Sequence, residues 1–218
     1  VMVLMNALCL EAEWDDPYTD NCVREGTFKN AKGNLVKAEY MYSQETEYIE
    51  TENATGFVKY YKGGKFAFVA LLPNEGTSID SYIASLTGKG FLSALNSRKN
   101  TQVNTQMPKF KCEYSNSLVD TLKKMGMSTA FDGDRANFSS MATIKNENIY
   151  ISDVIHKTFI EVAEKGTRAG AATAVIAGKS AAMPVEQPKE VRLTRPFVYA
   201  IIDTRTNLPL FIGVQTDI

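Results

Sequence analysis

The sequence has 218 residues, a formal net charge of -1 and a hydrophobic content of 44%. A chain of this length and composition can bury a sizeable core, which excludes disorder by composition. A charge so close to zero gives no electrostatic reason to expect nucleic acid or an anionic membrane as a partner. The apolar run at residues 1–5 is too short to span a bilayer and has no basic leader.

Predicted strands dominate the first half of the chain. Residues 59–73 predict a β-hairpin that ends at Pro73, with Gly63 and Gly64 supplying the turn. Short helices are predicted over residues 78–86, with Ser78 as the cap, and over residues 90–95 and 117–125. No internal repeat or low-complexity linker divides these elements, so we expect a single domain over residues 1–218.

A long strand is predicted over residues 148–164, because the side chains there alternate with a period of two. Two further strands are predicted over residues 195–203 and 209–215, around a turn at 203–207. The intervening residues 164–184 are rich in Ala, Gly and Thr and have no single preferred secondary structure. Such small side chains could enter the middle of an existing sheet, although a flexible surface linker fits the composition equally well.

Ser152, Asp153 and His156 lie together in the long predicted strand. Strict alternation places Ser152 and His156 on one face and Asp153 on the other, so this carboxylate cannot orient the imidazole for catalysis. The chain also lacks a phosphate-binding glycine loop and the H-E-x-x-H and G-x-S-x-G patterns. We therefore predict that the protein is not an enzyme and that its histidine is structural.

The cysteines give no recognisable disulfide framework or zinc site. Cys9, Cys22 and Cys112 are widely spaced, and the chain has one histidine to complete a metal site. We expect no metal and no cofactor. The localisation stays undetermined, because a chain without disulfides fits the cytosol and also an extracellular or cell-surface site.

In their order along the chain, six segments resemble the serpin family of mobile-loop protease inhibitors. They are Asn6-Ala7-Leu8 with Trp14, Met107-Pro108-Lys109-Phe110, residues 118–127 with Phe131 and Phe138-Ser139, residues 152–167, Arg195-Pro196-Phe197, and Leu210-Phe211-Ile212-Gly213. One such motif alone would be weak evidence, but the shared order is specific. The resemblance implies an α+β fold with large mixed and antiparallel sheets, short helices and a mobile reactive-centre loop at about residues 165–190.

The resemblance covers the C-terminal part of a serpin domain. A complete serpin has about as much chain again before the strand that contains Asn6, including helices and strands of the main sheet. We therefore interpret the chain as a fragment or truncated form, without those N-terminal helices and strands. Exposed strand edges would then favour association with the missing N-terminal part, with another copy, or aggregation.

The resemblance also implies a mechanism, suicide inhibition of a serine protease. The protease forms a covalent acyl-enzyme with the loop, and the cut loop inserts as a strand into the main sheet. The implied hinge comprises Glu164, Gly166, Thr167, Ala169, Gly170, Ala171 and Ala172. One face of the inserted strand would carry Thr167, Ala169, Ala171 and Thr173, and none of these is large or charged, which favours an inhibitor. The alternative is a non-inhibitory carrier or chaperone with the serpin fold.

Two positions remain open for the reactive bond. Counting from Glu164 with the spacing usual in the family places the bond between Ser180 and Ala181, and a serine there suits the small pocket of an elastase-like protease. A register shifted by one residue gives the bond between Lys179 and Ser180, which suits a pocket with a carboxylate. The stretch 181–195 is longer than in typical relatives, so fixed offsets do not decide; we favour Ser180–Ala181.

Two further groups of residues acquire roles from the resemblance. Asn6, Ser152 and His156 match a sheet-opening latch, in which the asparagine hydrogen-bonds to the histidine of the neighbouring strand. Such a polar link satisfies buried groups and leaves the seam separable. Lys109 and Glu164 match an ion pair at the top of the main sheet, where Trp14 is also expected.

Overall fold

The computed structural model describes residues 1–145, 147–167 and 187–218, and its contacts divide the chain into two compact units. One unit comprises Val1–Leu10 and Cys112–Ile160, and the other comprises Glu11–Lys111 and Glu161–Ile218. The single domain expected from the sequence stays a prediction.

The elements are named in chain order. The strands are β1 (Met2–Leu8), β2 (Ala12–Glu13), β3 (Val23–Lys29), β4 (Leu35–Glu50), β5 (Ala54–Tyr60), β6 (Phe66–Pro73), β7 (Lys99–Pro108), β8 (Phe110–Ser117), β9 (Ile151–Ala163), β10 (Gly166–Thr167), β11 (Lys189–Arg192), β12 (Phe197–Asp203) and β13 (Pro209–Gln215). The α-helices are α1 (Ile79–Ser85), α2 (Gly88–Asn96) and α3 (Val119–Lys124). Short 3-10 turns lie at Asp20–Cys22 and Thr129–Phe131.

The first unit is organised around β9. Strand β1 pairs with β9 in parallel, with Asn6 opposite His156 and Leu8 opposite Thr158. Strand β8 also pairs with β9, and α3 follows β8 in the chain. The parallel register is irregular near its start, where Met2 lies opposite Ile151 but Val3 lies opposite Asp153. This irregularity leaves Ser152 as the extra residue of β9.

A large sheet forms the body of the second unit. Its strand order is β11-β7-β4-β5-β6-β12-β13, and β3 pairs with β4 at one side. The predicted hairpin is confirmed, because β5 and β6 pair antiparallel and both Gly63 and Gly64 have the positive φ of a tight hairpin turn. The predicted C-terminal strands are also confirmed as β12 and β13, which pair antiparallel.

The helices α1 and α2 cover one face of this sheet. The hydroxyl of Ser78 accepts the Ser81 amide at 3.1 Å, and the hydroxyl of Thr87 accepts the Gly90 amide at 3.0 Å, so each helix has a capped start. Their buried residues, including Tyr82 and Leu95, join a core with Ile49, Ala54, Val58, Ala67, Val69, Leu71, Val198, Ala200 and Ile202. The helices predicted near these positions are therefore confirmed, with ends shifted by up to two residues.

Candidate functional site

The candidate site is the hinge at which β9 ends and the predicted loop begins. After Ala163 the chain turns at Glu164 and Lys165, and Gly166 and Thr167 form β10. β10 runs antiparallel to the end of β9 and also pairs antiparallel with β2. The hinge thus starts as a short strand that already lies between two neighbours.

Gly166 is required by this arrangement. Its φ of +148° disfavours an L side chain, and an added Cβ would lie 2.1 Å from the carbonyl oxygen of Ala12 and 2.8 Å from the Cα of Glu13. A side chain here would therefore push β10 away from β2. The glycine allows the two backbones to approach closely enough to pair.

Trp14 holds the turn from two sides. Its backbone amide donates to the carbonyl of Lys165 at 3.0 Å, and its indole Nε1 donates to the carbonyl of Ala163 at 2.8 Å. The indole is 1% exposed and stacks on Tyr61, with ring centroids 4.4 Å apart. A buried aromatic residue thus anchors the turn that leads into β10.

Thr167 is fixed by a buried hydrogen bond. Its hydroxyl lies 2.6 Å from the hydroxyl of Tyr61, and both residues are 1% exposed. Burial raises the pKa of Tyr61 well above its ordinary value, although the bond to Thr167 works in the opposite direction. The phenol is therefore neutral at physiological pH, and two uncharged hydroxyl groups join the hinge to the hairpin.

Glu164 and Lys109 form an ion pair at the turn. Lys109 also contacts Glu39, with 3.2 Å between Nζ and Oε2. Burial alone would raise the pKa of Glu164, but the hydrogen bond and charge of Lys109 lower it overall. Burial opposes the charge of Lys109 too, yet its two carboxylate partners raise its pKa above the ordinary value. Trp14 hydrogen-bonds to the residues on both sides of Glu164, so these predicted site residues lie together.

Lys109→Met should lower the free energy of unfolding by about 1 kcal/mol at pH 7, because it removes both carboxylate contacts of a partly exposed ammonium. The pKa of Glu164 is lowered in the folded state, so the stabilisation is complete above pH 4.5 and is lost as the pH falls through the folded-state pKa. Urea titrations of both proteins at several pH values measure the difference. A difference that stays constant down to pH 2 would contradict this assignment.

The proposed latch residues lie at the β1–β9 seam. Asn6 is opposite His156 in the parallel pairing, and the hydroxyl of Ser152 donates to the carbonyl of Met2 at 3.3 Å. The ring of His156 lies 6.4 Å from the ring of Tyr114, centroid to centroid. Within the described ranges no hydrogen bond joins the side chains of Asn6 and His156. The role of these residues as a latch therefore stays a prediction.

The alternation predicted along β9 is interrupted at Ser152. The irregular register places an extra residue at Ser152, so strict alternation does not extend from Ser152 to His156. The carboxylate of Asp153 instead accepts a hydrogen bond from the hydroxyl of Ser117 at 2.6 Å and one from the amide of Val154 at 2.8 Å. Neither of these contacts involves His156.

Several predicted residues lie outside the described residues. They are the hinge residues Ala169, Gly170, Ala171 and Ala172 and the candidate reactive bonds Lys179–Ser180 and Ser180–Ala181. In the part of the chain that is described, no group of His, Cys, Asp and Glu side chains could hold a metal ion. No described helix is long and apolar enough to cross a membrane.

Sequence reasoning missed a polar cluster beneath the hinge. Lys59 in β5 is 1% exposed, and its Nζ lies 2.8 Å from Glu45 Oε1 and 4.5 Å from the ring centroid of Tyr18. The available signal was a lysine next to Phe57 and Val58 in an otherwise apolar strand. A charge in such a strand is exceptional unless it has a buried partner.

The comparisons agree with this fold. A family model described as serpin (serine protease inhibitor) matches residues 1–218. Human Serpin B3 is 33% identical over 218 residues, which cover 97% of this chain and 54% of that protein. Tengpin, a thermophilic serpin, is 45% identical in its native state, with a TM-score of 0.90 over 99% of this chain and 55% of tengpin. Tengpin in its latent state gives 40% identity and a TM-score of 0.77, over 95% of this chain and 54% of tengpin.

The chain belongs to the serpin family, as the resemblance of its sequence motifs predicted. The α+β serpin fold is likewise confirmed by the structural neighbours. At the level of the family, serpins are protease inhibitors and generally not enzymes. The chain spans about half the length of the relatives that it matches.

Proposed function

We propose that this protein is a suicide inhibitor of serine proteases. The family supports inhibition in general terms, and β10 is the observation that carries the proposal for this chain. Gly166 and Thr167 already form a strand that pairs antiparallel with β9, so the hinge starts in the geometry that an inserted loop requires. The loop has only to extend a strand that already exists.

The chemistry requires a protease serine and the reactive bond of the loop. The serine hydroxyl attacks the carbonyl of that bond, an ester forms with the enzyme, and the proton passes to the leaving amine. The loop is then free at one end and remains joined to Thr167 at the other. Insertion of serpin loops is an established case of strand addition, and here the inserted strand becomes the new neighbour of β9.

Strand β1 is the element that must yield for this insertion. Its parallel pairing with β9 holds Asn6 opposite His156, and parallel pairs are slightly less stable per residue than antiparallel pairs. We propose that Asn6, Ser152 and His156 form the latch at this seam. A polar seam opens more readily than an apolar one, because water can satisfy the separated groups.

The residue before the cleaved bond, here called the bait residue, indicates the specificity of the target protease. We propose cleavage between Ser180 and Ala181 by an elastase-like enzyme, because a small side chain suits a small specificity pocket. The register shifted by one residue makes Lys179 the bait and a trypsin-like enzyme the target.

The test mixes the full-length protein with pancreatic elastase and, separately, with trypsin. We expect an adduct with elastase that survives a denaturing gel, and a released peptide that starts at Ala181. An adduct with trypsin and a peptide that starts at Ser180 would retain inhibition but move the bait to Lys179. Cleavage without any adduct would overturn the proposal and favour a non-inhibitory carrier or chaperone. An active-site serine variant of each protease serves as the control, since it cannot form the ester.

A further inference from the structure

The buried ion pair of Lys59 and Glu45 has no part in the mechanism above. Its two side chains are 2% and 13% exposed, and 2.8 Å separates Lys59 Nζ from Glu45 Oε1. Replacement of a buried ion pair by apolar residues of similar volume is often neutral or stabilising, so such a pair is weak evidence for a role in overall stability. Its surroundings indicate a more specific role.

Hydroxyl groups lie beside the carboxylate of this pair. The hydroxyl of Ser43 lies 2.6 Å from Glu45 Oε1, 2.8 Å from the hydroxyl of Thr105 and 3.3 Å from that of Tyr18. Burial raises the pKa of Tyr18 far above its ordinary value, so its phenol is neutral. The ammonium of Lys59 is therefore bonded to a carboxylate that accepts a second hydrogen bond from Ser43, whose hydroxyl also contacts those of Thr105 and Tyr18.

The same ammonium lies against the aromatic residues that hold the hinge. Lys59 Nζ is 4.5 Å from the ring centroid of Tyr18 and 5.6 Å from that of Trp14. A desolvated cation at such distances attracts the faces of both rings. The charge thus connects two aromatic side chains that are adjacent to the turn before β10.

Trp14 and Tyr18 hold three consecutive carbonyl groups of that turn. The amide of Tyr18 donates to the carbonyl of Glu164 at 2.9 Å, while Trp14 donates to the carbonyls of Ala163 and Lys165. Every main-chain oxygen from residue 163 to 165 is therefore bonded to one of the two residues beside the ammonium. A displacement of the Trp14 ring would break the bond to Ala163, and a shift of the segment that carries Trp14 and Tyr18 would weaken the two bonds from their backbone amides.

We propose that Lys59 and Glu45 are positioning residues of the hinge. The buried ammonium fixes the rings of Trp14 and Tyr18, and through them it keeps the turn at residues 163–165 from opening before a protease cuts the loop. The restraint of the turn is inferred from these contacts and does not depend on the proposed function. Its consequence for premature loop insertion rests on the proposed function.

The decisive variant replaces both charges, Lys59→Met together with Glu45→Met, in the full-length protein. Removal of both partners leaves no unpaired buried charge, so the overall fold should survive. The matched control is Arg98→Met together with Glu47→Met. Its two charges are 3.6 Å apart and partly exposed, at 22% and 27%. Their side-chain hydrogen bonds in the described ranges go to Tyr60 and Asn207, not to Trp14 or Tyr18.

Hydrogen exchange measured by mass spectrometry reports how often the hinge amides open, and it does not require that the protein inhibit a protease. We expect amides at Trp14, Tyr18 and Thr167 to exchange about tenfold faster in the Lys59/Glu45 variant, because loss of one desolvated cation–π contact changes an opening equilibrium by about that factor. The control variant should match the wild-type protein at these amides. The urea midpoint should be similar in all three proteins.

Warming the uncut protein then tests the consequence for the loop. The Lys59/Glu45 variant should lose the ability to form a protease adduct about tenfold faster than the wild-type protein, with its uncut loop becoming resistant to cleavage. Unchanged hinge exchange would overturn the proposal, as would acceleration that is equal throughout the chain with a lowered urea midpoint. A wild-type protein that never forms an adduct would refute the proposed function only, because the exchange measurement still decides the role of the pair.

Discussion

Thr167→Arg is expected to abolish the covalent protease adduct while the loop is still cleaved. Thr167 is 1% exposed and its hydroxyl lies 2.6 Å from that of Tyr61, so an arginine here would bury an unpaired charge. In the proposed mechanism, this residue is also the first that the cut loop must keep inside the sheet. Insertion should therefore stall, and the protease should complete hydrolysis and leave. We expect the fraction of protease trapped to fall at least about tenfold, since each 1.4 kcal/mol added to the insertion barrier is a factor of ten.

The measurement is the ratio of adduct to cleaved protein on a denaturing gel, at equal protease. Lys165→Arg is the control, because Lys165 is exposed and contributes its carbonyl oxygen to Trp14 whatever its side chain is. Thr167→Val separates the two roles of threonine, since it keeps the shape but removes the hydroxyl. A Thr167→Arg protein that traps protease as well as the wild type would show that β10 is not the start of the inserting strand.

Gly166→Ala should destabilise the protein more than the same substitution at a glycine whose added Cβ meets no atom within 4 Å. The added methyl group would lie 2.1 Å from the carbonyl oxygen of Ala12, in addition to the cost of a φ of +148°. We expect the free energy of unfolding to fall by about 2 kcal/mol, or the pairing of β10 with β2 to be lost. Urea denaturation measures the first outcome, and exchange of the Thr167 amide measures the second.

Gly33→Ala isolates the conformational part of this effect. Gly33 has a φ of +85°, but no atom lies within 4 Å of its added Cβ, so only the cost of the left-handed backbone remains, about 1 kcal/mol. Equal losses for the two variants would show that the close approach of β10 to β2 contributes nothing. Unchanged protection of the Thr167 amide in Gly166→Ala would lead to the same conclusion.

Elements with local signals could be predicted from the sequence. Paired glycines marked the β5–β6 hairpin, the hydroxyl of Ser78 marked a helix start, and regular alternation marked most of β9. Strand β4 was not predicted, although it is 16 residues long. Its charged residues, such as Glu45 and Glu47, interrupt the apolar alternation, and they find partners only when distant segments fold against them. Long-range pairing of this kind leaves no local pattern in the sequence.

Some residues of the candidate site could also be predicted from the sequence, and others could not. Trp14, Lys109 and Glu164 were placed through the order of family motifs, and the structure brings them together at one turn. The part played by Lys59 and Tyr18 had no motif, because it depends on a cation lying against a ring that is 41 residues away in the chain. The irregularity at Ser152 was equally hidden, since a single extra residue in a strand changes its pairing but not its composition.

The hydrogen bonds that Trp14 and Tyr18 donate to residues 163–165 are all accepted by main-chain oxygens. Such acceptors are present whatever side chains the turn carries, so side-chain substitutions in the turn retain the acceptors of the hydrogen bonds from Trp14 and Tyr18. The residues that set the strength of the restraint lie elsewhere, in β4 and β5. If the proposed function holds, evolution can alter the protease specificity of the loop and the restraint of the turn independently. Under the same proposal, substitutions in the loop could change the target protease without weakening the restraint of the turn at residues 163–165.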